Sequence, residues 1–202
     1  MQVSLLQRWT NSADFVIAAD GGANSLVGIC EEIDIVLGDF DSVRPEGRKL
    51  ARREIHLPDQ SKTDAEKLLD WAVEQGQKHI TVVGLEGGSP DHFWGVFHSF
   101  VRPDIKIFLG FQRGLGWVVR PGDSIRVATR PGQRVSLMPL GFTSGVELTG
   151  VEWPLESVEL SMGHLVSVSN RAVADAVQVK IAEGYAWLYL ETPEHEMPYW
   201  EM

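Results

Sequence analysis

Four apolar runs in the first half of the chain are each followed by a short acidic or glycine-rich segment. Such runs predict buried strands, and they cover residues 15–18, 33–37, 54–57 and 80–83. The segments that follow these runs contain five aspartates, Asp20, Asp39, Asp41, Asp64 and Asp91. Ligands of an open parallel sheet bind outside the carboxyl ends of its strands. We therefore expect the four segments to converge on one rim of a parallel sheet.

Helical patterns separate these strands. The clearest helix is predicted over residues 63–75, where Thr63 can cap the helix and Glu66 completes a capping box. A second helix is predicted over residues 91–101, and the segment before residue 15 can also be helical. Alternation of strand and helix requires crossover connections, so we predict an α/β domain with a mostly parallel sheet over residues 1–112.

The pattern changes in the second half of the chain. Short alternating runs separated by Pro-Gly and other turn residues predict an antiparallel β-sandwich domain over residues 113–202. Glycines cluster at 110, 114 and 116, and we place the domain boundary beside them.

Composition narrows the classes of function. The chain has 202 residues, 44% of them hydrophobic, which is typical of a globular protein. Its formal net charge of -10 argues against binding to nucleic acid or to an anionic membrane surface. Cys30 is the only cysteine, so an internal disulfide and a cysteine-based zinc site are excluded. No apolar stretch approaches the ~20 residues needed to span a bilayer. We expect a cytoplasmic protein.

The aspartates predict a metal site. Asp39 and Asp41 are two residues apart, a spacing that puts both side chains on one face of an extended chain. Crowded carboxylates repel each other by about 1 kcal/mol per pair in water at ~4 Å, and Mg²⁺ with its preference for oxygen ligands removes that cost. The alternatives are a simple turn for this pair and compensation of the helix dipole for Asp64. We favour Asp39, Asp41 and Asp64 as metal ligands and catalytic residues.

The glycine-rich segments predict an anion site. Glycine pairs at 21–22 and 87–88 let backbone N–H groups approach phosphate, and helices follow both pairs. Asp20 can bind a ribose or a base or can cap a helix, and His92 can be catalytic or can pack locally. Both questions stay open at this point. The residues Ser167, Ser169 and Asn170 can hydrogen-bond a heteroaromatic ring, although their spacing alone favours a turn.

Together these segments resemble the thiamine pyrophosphokinase family. The motifs Asp-Gly-Gly-Ala-Asn, Gly-Asp-Phe-Asp-Ser and Thr-Asp stand in the family's order at residues 20–24, 38–42 and 63–64. A Gly-Gly-x-x-Asp-His segment follows at 87–92, and softer similarities continue at 150–155 and 167–170.

The resemblance implies a reaction and a set of site residues. The reaction is ATP plus thiamine giving thiamine diphosphate plus AMP, in a homodimer whose thiamine site lies between subunits. Asp39, Asp41 and Asp64 are implied to hold Mg²⁺ and the triphosphate. Residues implied to contact ATP are Asp20, Gly21, Gly22, Asn24, Gly87, Gly88, Asp91 and His92. Residues implied to contact thiamine are Gln60, Thr63, Ser167, Ser169 and Asn170.

One departure from the family keeps two further functions open. Ser89 stands where the family usually has an arginine, and Lys62 and Arg113 are candidate replacements for its charge. An altered site can serve a related diphosphokinase with another acceptor, such as a hydroxymethylpterin. It can also serve a protein that binds nucleotide or thiamine without turnover.

Overall fold

A computed structural model describes residues 1–102 and 104–192. The chain forms two compact units, the first made of residues 1–78 and 83–105 and the second of residues 79–82 and those from 106 onward. The final residues of the second predicted domain, 193–202, lie outside the described part.

The first unit contains a parallel three-stranded sheet in the order β1-β2-β3. Its strands are β1 (Ile17–Ala19), β2 (Ile33–Gly38) and β3 (Ala51–His56). Its helices are α1 (Val3–Ser12), a 3₁₀ helix (Asp20–Leu26), α2 (Pro45–Arg48), α3 (Asp64–Glu74) and α4 (Pro90–His98). The central strand β2 is almost wholly buried, whereas β3 at the edge is mostly exposed. The predicted parallel sheet is confirmed for its first three strands.

A helix, α1, precedes the first strand of this sheet. Leu5, Leu6 and Trp9 of α1 are buried, a spacing that forms one apolar helical face. Leu6 belongs to the same core cluster as Ala18 of β1 and Val36 of β2. The helix therefore covers part of the small sheet.

Helix α3 has the predicted capping box. The hydroxyl of Thr63 accepts the Glu66 N–H at 3.2 Å, and the Glu66 carboxylate accepts the Thr63 N–H at 2.9 Å. These two bonds fix the start of the helix and hence the position of Asp64 in its first turn. Across the described ranges, none of the helices combines the length and the apolarity that crossing a membrane demands.

The second unit consists of two sheets. Its strands are β4 (His79–Val83), β5 (Lys106–Phe111), β6 (Gly114–Val119), β7 (Ser124–Ala128), β8 (Arg134–Pro139), β9 (Thr143–Thr149), β10 (Leu155–Leu160), β11 (Ser167–Arg171), β12 (Ala176–Lys180) and β13 (Ala186–Glu191). One sheet has the order β10-β9-β12-β7 and the other β11-β8-β13-β6-β5-β4. All the described pairings among β5 to β13 are antiparallel, as predicted.

Strand β4 lies in a different sheet from the one expected. We expected residues 80–83 to extend the parallel sheet of the first unit, but β4 lies beside β5 at the edge of the six-stranded sheet. An apolar run predicts that a strand forms but does not specify its neighbours. The expectation that four strands share one rim was therefore wrong for the segment that follows β4. The predicted boundary between residues 112 and 113 falls between β5 and β6, which are adjacent in this sheet.

The glycines near this boundary serve packing. A β-carbon on Gly114 would lie 2.6 Å from the Tyr189 ring, and one on Gly116 would lie 2.5 Å from Trp187 Nε1. Both aromatic rings also contact Phe111, whose ring centroid lies 5.5 Å from that of Trp187 and 5.8 Å from that of Tyr189. The glycines thus leave room for an aromatic cluster on the sheet.

Candidate active site

Three predicted residues converge at the carboxyl ends of β1 and β2. One carboxylate oxygen from each of Asp20, Asp39 and Asp41 lies within 4.8 Å of those of the other two. Asp20 directly follows β1, and Asp39 directly follows β2. Because parallel strands present their carboxyl ends at one edge, neighbouring strands bring these side chains together.

Asp20 is fully buried and shapes the loop that carries Asp41. Its two carboxylate oxygens accept the N–H groups of Ser42 at 3.1 Å and Val43 at 3.0 Å. Burial raises the pKa of Asp20, although these two hydrogen bonds act in the opposite direction. The backbone of Asp20 is left-handed, with φ of 34°. This conformation is uncommon for a residue with a side chain and is often found at functional sites.

A tight turn, rather than an extended chain, joins Asp39 to Asp41. The Asp41 N–H donates to Asp39 Oδ1 at 3.3 Å, and Phe40 between them has a φ of 67°. The Phe40 ring stacks on His56 at 5.4 Å, and the Arg48 guanidinium lies 4.7 Å from its centre. These two contacts stabilise the left-handed residue. The turn and the carboxylate cluster, which we treated as alternatives, therefore occur together.

Lys67 is a site residue that the sequence analysis missed. Its ammonium lies 3.0 Å from Asp64 Oδ1 and 3.3 Å from Asp39 Oδ2, and the residue is only 4% exposed. Burial alone would lower the pKa of Lys67, but its hydrogen bonds to Asp64 and Asp39 outweigh burial and the pKa is raised. The available signal was its position three residues after Asp64, which places both side chains on one helical face.

Gln60 and Asn24 support the same loops. The Gln60 amide donates to Asp39 Oδ2 at 2.7 Å. The Asp41 N–H, followed by Gln60 and Lys67, lowers the pKa of Asp39. Asn24 donates to the Ser42 carbonyl at 2.9 Å and accepts the Arg44 N–H at 2.7 Å. Gln60 therefore lies beside the carboxylates, whereas both ends of the Asn24 amide hold the loop after Asp41.

Gly38 allows Asp20 and Asp64 to approach the end of β2. A β-carbon at Gly38 would lie 2.7 Å from Asp20 Cβ and 3.2 Å from Asp64 Oδ1, and its φ is +151°. We expect Gly38→Ala to lower the free energy of unfolding by about 2 kcal/mol or more, because neither the conformation nor the space suits a side chain.

Chemical denaturation measures the effect of Gly38→Ala, and Gly95→Ala is the matched control. Gly95 lies inside α4 with no atom within 4 Å of an added β-carbon, so alanine there should be neutral or slightly stabilising. Equal stability of the two variants would contradict the assigned role of Gly38.

The segment around the start of α4 makes local contacts. Hydrogen bonds from Ser89 and from the His92 N–H lower the pKa of Asp91. Ser89 itself has extended backbone angles at the start of α4. The contacts of Asp91 in the described structure are therefore local, made within the first turn of α4 and with its cap residue Ser89. Of the predicted glycines, Gly21 lies against Ser42, whereas Gly22 and Gly87 have open space around them and Gly88 meets only His92.

The two candidate replacements for the family arginine have other partners. Lys62 pairs with Asp70 at 2.9 Å, and Arg113 in the second unit pairs with Glu191 at 3.3 Å. In the described part of the chain, Lys67 is therefore the lysine whose ammonium contacts the site residues Asp39 and Asp64.

The predicted serines and asparagine of the second unit lie on β11. Asn170 is buried and holds Trp153 at both its backbone groups, accepting the N–H at 3.1 Å and donating to the carbonyl at 2.7 Å. Ser167 is also buried and accepts a bond from Asn170 at 3.2 Å. Ser169 is exposed with a left-handed φ of 60°. The spacing favoured a turn, but these residues form a strand with an irregular register.

Two family models match the sequence. Residues 6–109 match the model described as thiamin pyrophosphokinase, catalytic domain. Residues 124–186 match the model described as thiamin pyrophosphokinase, vitamin B1 binding domain. Among similar curated proteins, thiamin pyrophosphokinase 1 of Caenorhabditis elegans is 27% identical over 188 residues, which cover 84% of this chain and 76% of that protein. Thiamine pyrophosphokinase of Bacillus subtilis is 26% identical over 158 residues, which cover 73% of each.

Solved structures show the same fold. The crystal structure of thiamine pyrophosphokinase from Bacillus subtilis has a TM-score of 0.75 at 22% identity and covers 92% of both chains. The structure of thiamin pyrophosphokinase from Candida albicans has a TM-score of 0.76 at 16% identity, with 95% of this chain and 86% of that chain covered.

Proposed function

The chain belongs to the thiamin pyrophosphokinase family, and we propose that it transfers a diphosphate from ATP to the hydroxyl of thiamine, giving thiamine diphosphate and AMP. The observation that carries the proposal is the cluster of Asp20, Asp39 and Asp41 at the carboxyl ends of two parallel strands. Ligand sites of open α/β sheets lie at such ends. The single cysteine fits a reducing compartment, so we propose a cytoplasmic enzyme.

The donor set fits a hard divalent cation, and we propose Mg²⁺. All donors in the cluster are carboxylate oxygens, the ligand type that this ion prefers. Asp39 and Asp41 of the cluster would hold the ion together with Asp64, which lies outside the cluster but shares the Lys67 ammonium with Asp39. Asp20 keeps the loop in place through its bonds to Ser42 and Val43. When bound, such an ion would neutralise charge on the triphosphate and so favour attack at the phosphorus.

The residues of the chain supply position and charge. Lys67 balances Asp39 and Asp64 and offers a buried positive charge for the phosphates in place of the family arginine. A carboxylate of the cluster accepts the proton of the acceptor hydroxyl. Catalysis then depends on holding that hydroxyl in line with the β-phosphorus, and no covalent nucleophile is required.

We also propose that thiamine contacts the second unit in a homodimer. Ser169 on β11 is exposed, and Asn170 holds the backbone of Trp153, a residue that is 57% exposed. Met162 and Val168 of the same region also remain exposed. Exposed apolar side chains near a strand irregularity favour a site completed by a second copy. The predicted contacts of Gln60 and Thr63 with thiamine and of the 87–92 segment with ATP remain part of this proposal.

An AMP-release assay with a panel of acceptor alcohols tests the proposed reaction. We expect release of AMP from ATP that requires both thiamine and a divalent cation. Release of AMP with a hydroxymethylpterin but not with thiamine would show that the reaction is the proposed one but that the acceptor is different. Calorimetric binding of thiamine or of an ATP analogue without any turnover would identify a binding protein instead. Sedimentation of the same preparation reports its oligomeric state.

A further inference from the structure

Two arginines face each other on neighbouring strands of the second unit. Arg134 of β8 pairs in register with Arg171 of β11. Residues directly opposite in an antiparallel pair lie on the same face of the sheet with their side chains in reach of each other, and like charges there are destabilising. Among residues 1–102 and 104–192, neither the Arg134 guanidinium nor the Arg171 guanidinium has an ion-pair partner. The fold therefore keeps two positive charges together without a carboxylate between them.

These arginines line a cleft of about 710 Å³. Its lining belongs to the second unit and includes Arg113, Gln133, Arg134, Ser169, Arg171 and Glu191. Small-molecule sites usually enclose about 300–1,000 Å³. With three arginines and one glutamate the cleft is positive, whereas the whole chain has a net charge of -10. Such a local inversion of charge concentrates anions at this place.

The walls of the cleft are fixed by hydrogen bonds. The Gln133 amide donates to the Glu191 carbonyl at 2.8 Å, and the Tyr189 hydroxyl donates to the Arg113 carbonyl at 2.7 Å. These bonds tie the starts of β6 and β8 to the end of β13. The arginines are thus carried by a preorganised frame, which reduces the entropy lost when a ligand binds.

A strained residue on the cleft wall provides an independent indication of function. Ser169 has a φ of 60° and lies where the register between β8 and β11 shifts. Its N–H donates to the Ser136 hydroxyl at 3.0 Å, which holds this conformation. Irregularities of this kind re-aim side chains beside binding sites, and here the affected residue lines the cleft.

We propose that this cleft binds the phosphate or diphosphate group of a small molecule. Arginine forms paired, charge-assisted hydrogen bonds with phosphate oxygens, and Arg134 and Arg171 are positioned to share one such group. A phosphate group also relieves the repulsion between them. Thiamine is itself a cation and is not the species that the arginines recognise. Ser169 is shared with the proposed thiamine contact, but the inference is carried by the two arginines and does not rest on the proposed function.

Isothermal titration with inorganic diphosphate, with AMP and with citrate tests the site. The buffer contains a chelator and no thiamine or ATP, so binding does not depend on a cation at the carboxylate cluster. We expect diphosphate or AMP to bind, and either Arg134→Gln or Arg171→Gln to weaken that binding about tenfold or more, since a hydrogen bond to a charged group is lost. Binding of diphosphate but not of AMP would indicate that the ligand is inorganic. Tighter binding of AMP than of diphosphate would indicate that the ligand is an organic phosphate.

Arg126→Gln is the matched control, because Arg126 is an exposed arginine on β7 in the other sheet. It should change the affinity less than about twofold, as expected for a distant surface charge. Diphosphate should also raise the melting temperature of the wild type but not that of Arg134→Gln. The proposal would be overturned if diphosphate and AMP did not bind, or if wild type and Arg134→Gln bound them equally well. It would also be overturned if Arg126→Gln lost as much affinity as the cleft variants, or if citrate bound as tightly as diphosphate.

Discussion

Asp39→Asn and Asp41→Asn are each expected to reduce AMP release about 100-fold or more, a loss typical of removing one preorganised electrostatic group from an active site. Both residues belong to the carboxylate cluster, and each substitution removes a negative charge while keeping the size of the side chain. Asparagine at 39 can still accept the Asp41 N–H, so the turn should survive.

Thermal melting and cation titration separate chemistry from folding in these variants. Asp41→Asn should melt at or slightly above the wild-type temperature, because it relieves repulsion at an exposed position. Affinity for Mg²⁺ should fall in both variants. Asp14→Asn is the matched control, since Asp14 is an exposed aspartate of the same unit outside the cluster. Turnover within about twofold of wild type in either cluster variant would remove that aspartate from the proposed metal site.

Lys67→Met should have the largest effect on stability. Lys67 is buried, and its loss leaves Asp39 and Asp64 facing each other without a cation. Removing one partner of a buried ion pair costs about 3–5 kcal/mol, and we expect about 3 kcal/mol because Asp64 retains 31% of its side-chain exposure. Activity should fall together with stability, since the same ammonium is proposed to contact the phosphates.

Chemical denaturation of Lys67→Met and Lys62→Met provides the comparison. Lys62 pairs with Asp70 at 2.9 Å, but it is 49% exposed, and such surface pairs contribute about 0–1 kcal/mol. The double variant Lys67→Met with Asp39→Asn should recover part of the lost stability, because it removes one of the uncompensated charges. Equal stability losses at positions 62 and 67 would show that burial does not strengthen the Lys67 pairs.

Local patterns predicted which segments form strands and helices, but not which strands pair. The capping box at Thr63 and Glu66 depends on residues three apart, and it formed as expected. Residues 80–83 formed β4, yet this strand joined β5 in another sheet. Neighbour choice depends on contacts between distant segments, which apolar periodicity does not encode.

The same distinction applies to the candidate site. The convergence of Asp20 with Asp39 followed from the rule that strand ends share a rim, and it was predictable. The left-handed Phe40 was not, because it depends on packing against His56 and Arg48 from other elements. The burial of Asn170 also depends on a distant segment, the one that carries Trp153.

The exposed edge of the small parallel sheet has a consequence for aggregation. An unpaired edge strand offers its backbone groups to strands of other molecules, and charged side chains are a common protection against this. The middle of β3 reads Arg52, Arg53 and Glu54, with Arg52 paired to Glu32 and Glu54 paired to Arg48, each at 2.6 Å. Pairing with a strand of another molecule would require desolvation of these charged side chains. The charges of β3 therefore disfavour pairing with a strand of another molecule at this edge of the sheet.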